Sequence, residues 1–190
     1  MSSVVWRGRD SDDEEYVVSV GARRDADRFL LHMQAIVTET DLLLQSADDE
    51  LPDPVTQRAI LDQFTRIENC LCLIAHRPGL LRQELLGSIT LLGGTTRTTK
   101  HIAKLGMGVR RHAWRRGIGR KLVEQSLEWA IQNRLVERVS LQVYASNTAA
   151  MSLYENMGFE VDGCLKDEVQ LTDRLEDLVT MSRSTREESP

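Results

Sequence analysis

The sequence is short of several things, and each shortage narrows what the chain can be. It has three cysteines among 190 residues, Cys70, Cys72 and Cys164. An odd number with no regular spacing forms neither a disulfide framework nor a metal-ligand pattern. Reduced thiols of this kind suit a cytoplasmic protein. No stretch approaches the ~18 apolar residues of a membrane-spanning helix. The acidic N-terminus also lacks the apolar core of a signal peptide, so no membrane association is expected. Basic excess is missing too: 24 Lys and Arg stand against 29 Asp and Glu, a net charge of −5. That balance argues against a general nucleic-acid binder. What remains, 41% hydrophobic and 28% charged residues, is the make-up of one globular domain with a real core, at a length that hardly allows two.

Residues 1–15 are polar and end in an acidic run, and read as a mobile arm in which only Val4, Val5 and Trp6 are apolar enough to dock. A single domain is expected over 16–183 and a loose tail over 184–190. Within the domain, Tyr16 to Val20 reads as a strand. A helix follows from Asp25, with Phe29, Leu30, Met33 and Ile36 at helical spacing. A second helix opens at Pro54. Leu71 to Ala75, Leu85 to Leu92 and His101 to Val109 read as an antiparallel meander because their connections are short. A helix to about Asn133, a strand at Val139 to Ala145 and a short helix capped by Asn147 and closed by Gly158 come next. Phe159 to Val161, Asp167 to Leu171 and Leu175 to Met181 are β-like. The order predicts a mixed α/β domain in which the strands ending at Val109 and Ala145 are parallel neighbours joined by a helical crossover.

The chain is organised around Leu105 to Leu122, LGMGVRRHAWRRGIGRKL. A strand leads into a turn with Gly117 and Gly119, and a helix starts at once. Unpaired N–H groups and the dipole at a helix N-terminus suit an anion. Gly-x-Gly alone is equally a tight connection. Arg110, Arg111, Arg115, Arg116, Arg120 and Lys121 crowd this stretch of an acidic chain, and they suit either a polyphosphate or a solvated basic face.

Two stretches then resemble a known family. The glycine turn is similar to motif A of the GNAT superfamily of acetyl-CoA-dependent N-acetyltransferases, Arg/Gln-x-x-Gly-x-Gly/Ala, with Trp114 where Arg or Gln is usual. LQVYASNTAAMSLYENMGFE, from Leu141, resembles motif B, with Asn147, Ala150, Leu153-Tyr154 and Gly158-Phe159 in register. The resemblance covers roughly Tyr16 to Arg183. It implies the GNAT fold: a mixed, mostly antiparallel central sheet with a splayed parallel strand pair, flanked by helices. It implies acetyl-CoA as cofactor, held by the backbone of Met107 and Val109 and by Arg115, Arg116, Gly117, Ile118, Gly119, Arg120 and Asn147. It also implies Tyr154 as the acid that protonates the departing thiolate.

The base is less determined. Glu39 and Asp41 lie where the family places substrate, and His101 titrates in a useful range; each is equally an ordinary helix-end, loop or strand residue. The acceptor expected is a small-molecule or protein amine, and a homodimer is a family habit. Two rivals stand beside the acetyltransferase: a non-catalytic acyl-CoA-binding module on the same fold, and a dinucleotide-binding protein. The second lacks a βαβ unit with an acidic residue at the needed spacing.

Overall fold

The computed structural model describes residues 3–44, 48–79 and 84–186. Its strands are β1 (Val4–Arg9), β2 (Glu15–Val20), β3 (Leu71–His76), β4 (Leu85–Gly93), β5 (Ile102–Val109), β6 (Arg138–Tyr144), β7 (Glu160–Gln170) and β8 (Leu175–Ser184). They form one sheet in the order β1-β2-β3-β4-β5-β6-β8-β7. All neighbours are antiparallel except β5 and β6, as the crossover requires.

Strand β3 shows why the sheet lies in the middle. Leu71, Leu73 and Ala75 join one hydrophobic cluster, and Cys72 and Ile74 join another on the opposite side. A strand covered on both faces must be apolar throughout. Helices α1 (Ala26–Glu39) and α2 (Pro54–Arg66) cover the smaller cluster. Helices α3 (Ile118–Gln132) and α4 (Thr148–Asn156) cover the larger one. Asp53 starts α2 by accepting from the N–H groups of Val55 at 2.8 Å and Thr56 at 3.2 Å, which satisfies two of the helix's unpaired donors. All three cysteines are free thiols, and burial pushes Cys72 up to about 12, so it stays protonated.

Two expectations need correction. Residues 3–15 are not a loose arm. They carry β1, whose Trp6 packs on Tyr16 with ring centroids 4.8 Å apart. The acidic run is tied down as well. Asp10 Oδ1 accepts from the N–H groups of Asp12 at 3.0 Å and Glu14 at 3.1 Å, and its Oδ2 lies 2.9 Å from both Arg77 and Arg116. Charges that read as solvated are paired with residues far along the chain. The β-like pieces after Phe159 are likewise one strand, β7, interrupted by irregularities between Val161 and Gly163 and between Leu165 and Val169. The tail expected from residue 184 begins as the end of β8, and residues 187–190 lie outside the described residues.

Candidate active site

Strands β5 and β6 pair only at their beginnings. The ladder runs Ile102 with Arg138, Ala103 with Val139 and Lys104 with Ser140, and then stops, although both strands continue. The parting starts well before residue 109, where the family resemblance suggested it. Alternation decides which backbone groups are left over. Arg110 donates to the Leu86 carbonyl and Gly94 to the Ile102 carbonyl, so the even residues of β5 bond to β4. The N–H and C=O groups of Leu105, Met107 and Val109 therefore face the opening. A cavity of about 830 Å³ fills it.

The glycine turn closes one end of that cavity. Gly117 has φ +81 and a Cβ there would meet nothing within 4 Å, so glycine is required by the backbone and not by crowding. Arg115 is also left-handed, at φ 59. The first α3 hydrogen bond runs from the Lys121 N–H to the Gly117 carbonyl. The N–H groups of Ile118, Gly119 and Arg120 consequently have no partner inside the helix. Trp114, at the position usually held by Arg or Gln, donates its indole N–H to the Val109 carbonyl at 2.7 Å and so pins the turn to the end of β5. Of the residues expected to hold the cofactor, Met107, Val109, Arg115, Gly117, Ile118, Gly119, Arg120 and Asn147 line the cavity.

Tyr154 lines it as well. The residue is 6% exposed, its ring packs edge-on against Phe159 at 5.6 Å, and burial pushes the phenol up to about 12. Asn147 caps α4 by accepting from the Ala150 N–H at 3.2 Å while its side chain borders the same space.

Other expected residues do not arrive. Arg116 is turned away, its guanidinium held by Asp10, by Asp12 at 3.0 Å and by Glu14 at 2.8 Å. Glu39 accepts from Arg110 Nε at 2.7 Å and from the Arg111 N–H at 2.7 Å. The Arg110 guanidinium holds the Glu39 carboxyl below its ordinary range, which suits a strut between α1 and the end of β5 better than a base. Asp41 is exposed and faces Arg174 at 3.9 Å. His101 precedes the paired start of β5, at the opposite end of the strand from the glycine turn, and borders a separate depression with Arg97, Lys100, Arg134 and Glu137. Eight residues of strand put roughly 25 Å between those ends. Among the described residues, no carboxylate and no histidine lines the cavity.

Several lining residues went unread. Ser140, Gln142 and Tyr144 alternate along β6 with the buried Val139, Leu141 and Val143, and Thr180 pairs opposite Gln142. Tyr144 donates its hydroxyl to the Leu43 carbonyl at 2.7 Å and so holds the segment after α1 over the cavity. The polar alternation along β6 was the available signal, but it resembles that of any half-covered strand.

The profile of the Acetyltransferase (GNAT) family matches residues 39–159. Over 96 residues the chain is 26% identical to the L-amino acid N-acetyltransferase AaaT of Escherichia coli, aligning 47% of this chain and 59% of that protein. Over 68 residues it is 37% identical to the ribosomal protein bS18-alanine N-acetyltransferase of Escherichia coli, aligning 36% and 45%. The chain thus spans about half the length of the curated relatives it matches. A GNAT-family acetyltransferase from Streptococcus pneumoniae superposes with a TM-score of 0.82 at 22% identity, over 89% of this chain and 98% of that one. A Salmonella typhimurium protein solved with acetyl-CoA superposes at 0.78 and 15% identity, over 92% and 96%. At such identities the structures attest the fold.

Proposed function

The chain belongs to the GNAT acetyltransferase family, and on that premise we propose that it is an N-acetyltransferase that moves an acetyl group from acetyl-CoA to a primary amine by direct attack. The observation that carries this reading is the parting of β5 and β6 after Lys104 and Ser140, beside Tyr154 and the amides that open α3.

The residues fit the donor. The N–H and C=O groups of Met107 and the N–H of Val109, whose carbonyl is taken by Trp114, match the amides of a pantetheine arm, which can replace a missing strand partner. The N–H groups of Ile118, Gly119 and Arg120 match a diphosphate, and the Arg115 and Arg120 side chains add positive charge. Bound acetyl-CoA supplies an acyl carbonyl activated as a thioester. The amine nitrogen bonds to that carbon, the C–S bond breaks, the sulfur takes a proton from Tyr154, the amine gives one up to water, and water returns a proton to Tyr154. Burial raises a phenol and a thiol alike, so Tyr154 holds its proton at neutral pH and remains matched to a sulfur in the same dry surroundings. With no carboxylate or histidine on the cavity wall among the described residues, the amine's proton leaves through solvent and the reactive acceptor is the neutral amine.

Calorimetry with acetyl-CoA, followed by thiol release on a panel of amines, tests the proposal. Binding followed by amine-dependent thiol release supports it. Binding without release on any amine would identify the chain as an acyl-CoA-binding module on this fold.

A further inference from the structure

The cavity has two ends of different character. At the glycine turn the charged residues are Arg115 and Arg120, the latter bonded to Glu124 at 3.2 Å. At the other end, where the strands part, the single charged lining residue is Lys104. Ala103 and Leu105 point into the larger core under α3, so Lys104 points to the α1 face, together with Gly106 and Gly108. Gly108 lies under α1: a Cβ there would stand 2.4 Å from Ile36 Cδ1. Lys104 lies beyond that cover and is exposed. Ser140, Gln142 and Thr180 share its face, giving a polar floor around one ammonium.

This polar floor is the side on which an acceptor would enter, since on the other face Leu105, Leu141 and Val143 are packed into the core with α3 and α4. The acids near the entry are all engaged. Glu39 is bonded to Arg110. Glu176 accepts from the Ser146 N–H at 2.9 Å, and Asp41 faces Arg174. Among the described residues Lys104 has no ion pair of its own. A polyamine would meet an unscreened like charge at this point, with no carboxylate to receive its second ammonium. An amine that carries its own carboxylate beside the nitrogen would find the cation it needs.

We propose that the acceptor is a free α-amino acid or a close analogue with its carboxylate intact, and that Lys104 binds that carboxylate on the floor formed with Ser140, Gln142 and Thr180. This rests on the acetyltransferase reading. It also separates two kinds of amine that are otherwise alike: the N-terminus of a peptide carries an amide where the free amino acid carries the negative charge.

The test is steady-state thiol release with acetyl-CoA on matched acceptors: L-amino acids, the same amino acids as C-terminal amides, short peptides and polyamines. A charge-assisted contact predicts kcat/KM about 10- to 100-fold higher for the amino acid than for its amide. In Lys104→Gln that ratio falls toward one, chiefly through KM for the amino acid. Lys104→Arg keeps most of it, because the charge is retained. Equal or better use of amides, peptides or polyamines by the wild-type chain overturns the proposal while leaving the acetyltransferase reading standing. So does a preference for the carboxylate that survives in Lys104→Gln. Acetyl-CoA binding with no thiol release on any acceptor overturns both.

Discussion

Tyr154 is the residue on which the proposed chemistry turns, because its buried side chain lines the cavity. Replacing it with phenylalanine keeps the ring that packs on Phe159 and removes only the hydroxyl. Turnover should fall about 100-fold while the acetyl-CoA dissociation constant stays the same, since general acids contribute roughly that much. Unchanged kcat would remove Tyr154 from the reaction. The pH dependence follows from the same residue. The phenol is pushed up to about 12, and among the described residues no histidine or carboxylate lines the cavity. The rate should therefore climb with pH as the acceptor amine loses its proton, with one rising limb and no inflection in the ordinary histidine range. No falling limb should appear until pH is well above 10, where the phenol begins to ionise. A bell-shaped profile centred near neutrality would contradict this assignment.

At the scale of elements, the N-terminal hairpin and the glycine turn act as a unit. Asp10, at the end of β1, has its side chain fully buried and lies between Arg77 and Arg116. Burial alone would raise its carboxyl. The Glu14 and Asp12 N–H groups and the two guanidinium groups outweigh that and hold it below the usual range. The Ser11 N–H also reaches the Arg116 carbonyl at 3.4 Å. Asp10→Ala would remove the buried carboxylate that Arg77 and Arg116 share and leave them only the exposed Asp12 and Glu14, so unfolding in urea should become easier by about 2 kcal/mol. The acetyl-CoA dissociation constant should rise, because the turn loses its anchor. Adding Arg116→Ala to Asp10→Ala should cost far less than the two single changes summed. Full additivity would mean that the two residues do not act together. This contact also marks the limit of what the sequence discloses. The strand, turn and helix from His101 to Gln132 are legible because their signals are local: alternation, two glycines, then helical spacing. The same holds for α4 with its Asn147 cap and Gly158 stop. The acids at 10–14 and Glu39 were misread because their partners, Arg116, Arg77 and Arg110, lie some 60 to 100 positions away. Only the folded sheet brings them together. His101 was expected to open the strand and lies one residue before it, and the end at which a residue sits relative to the opening depends on where the ladder stops.

The whole molecule carries a buried histidine whose effect is on stability. His32 is 1% exposed between α1 and the β4–β5 region; it faces the Leu85 and Gly108 backbone, yet neither ring nitrogen reaches hydrogen-bonding geometry. Burial pushes it down to about 4 from 6.5. The unfolded chain therefore binds the proton first, and stability is full above pH 6.5 and is lost as pH falls toward 4. The loss is on the order of 3 kcal/mol. His76 is lowered by burial as well and adds to it in the same direction. Asp10 and Glu39, both lowered, contribute only at more acid pH, as they take up protons. A urea midpoint that is flat from pH 7 to 5, or a slope that is undiminished in His32→Met, would refute this origin. The sheet, the turn and the two helical layers all serve one arrangement, the opening between β5 and β6 in which the proposed thioester donor would lie. Backbone amide hydrogen exchange with and without acetyl-CoA measures that directly. If the donor lies between the strands, exchange slows at Leu105, Met107 and Val109 and at Ile118 to Arg120, and stays the same at the paired residues Ala103 and Val139. Acetyl-CoA binding that leaves the amides of 105–109 and 118–120 unprotected would contradict it.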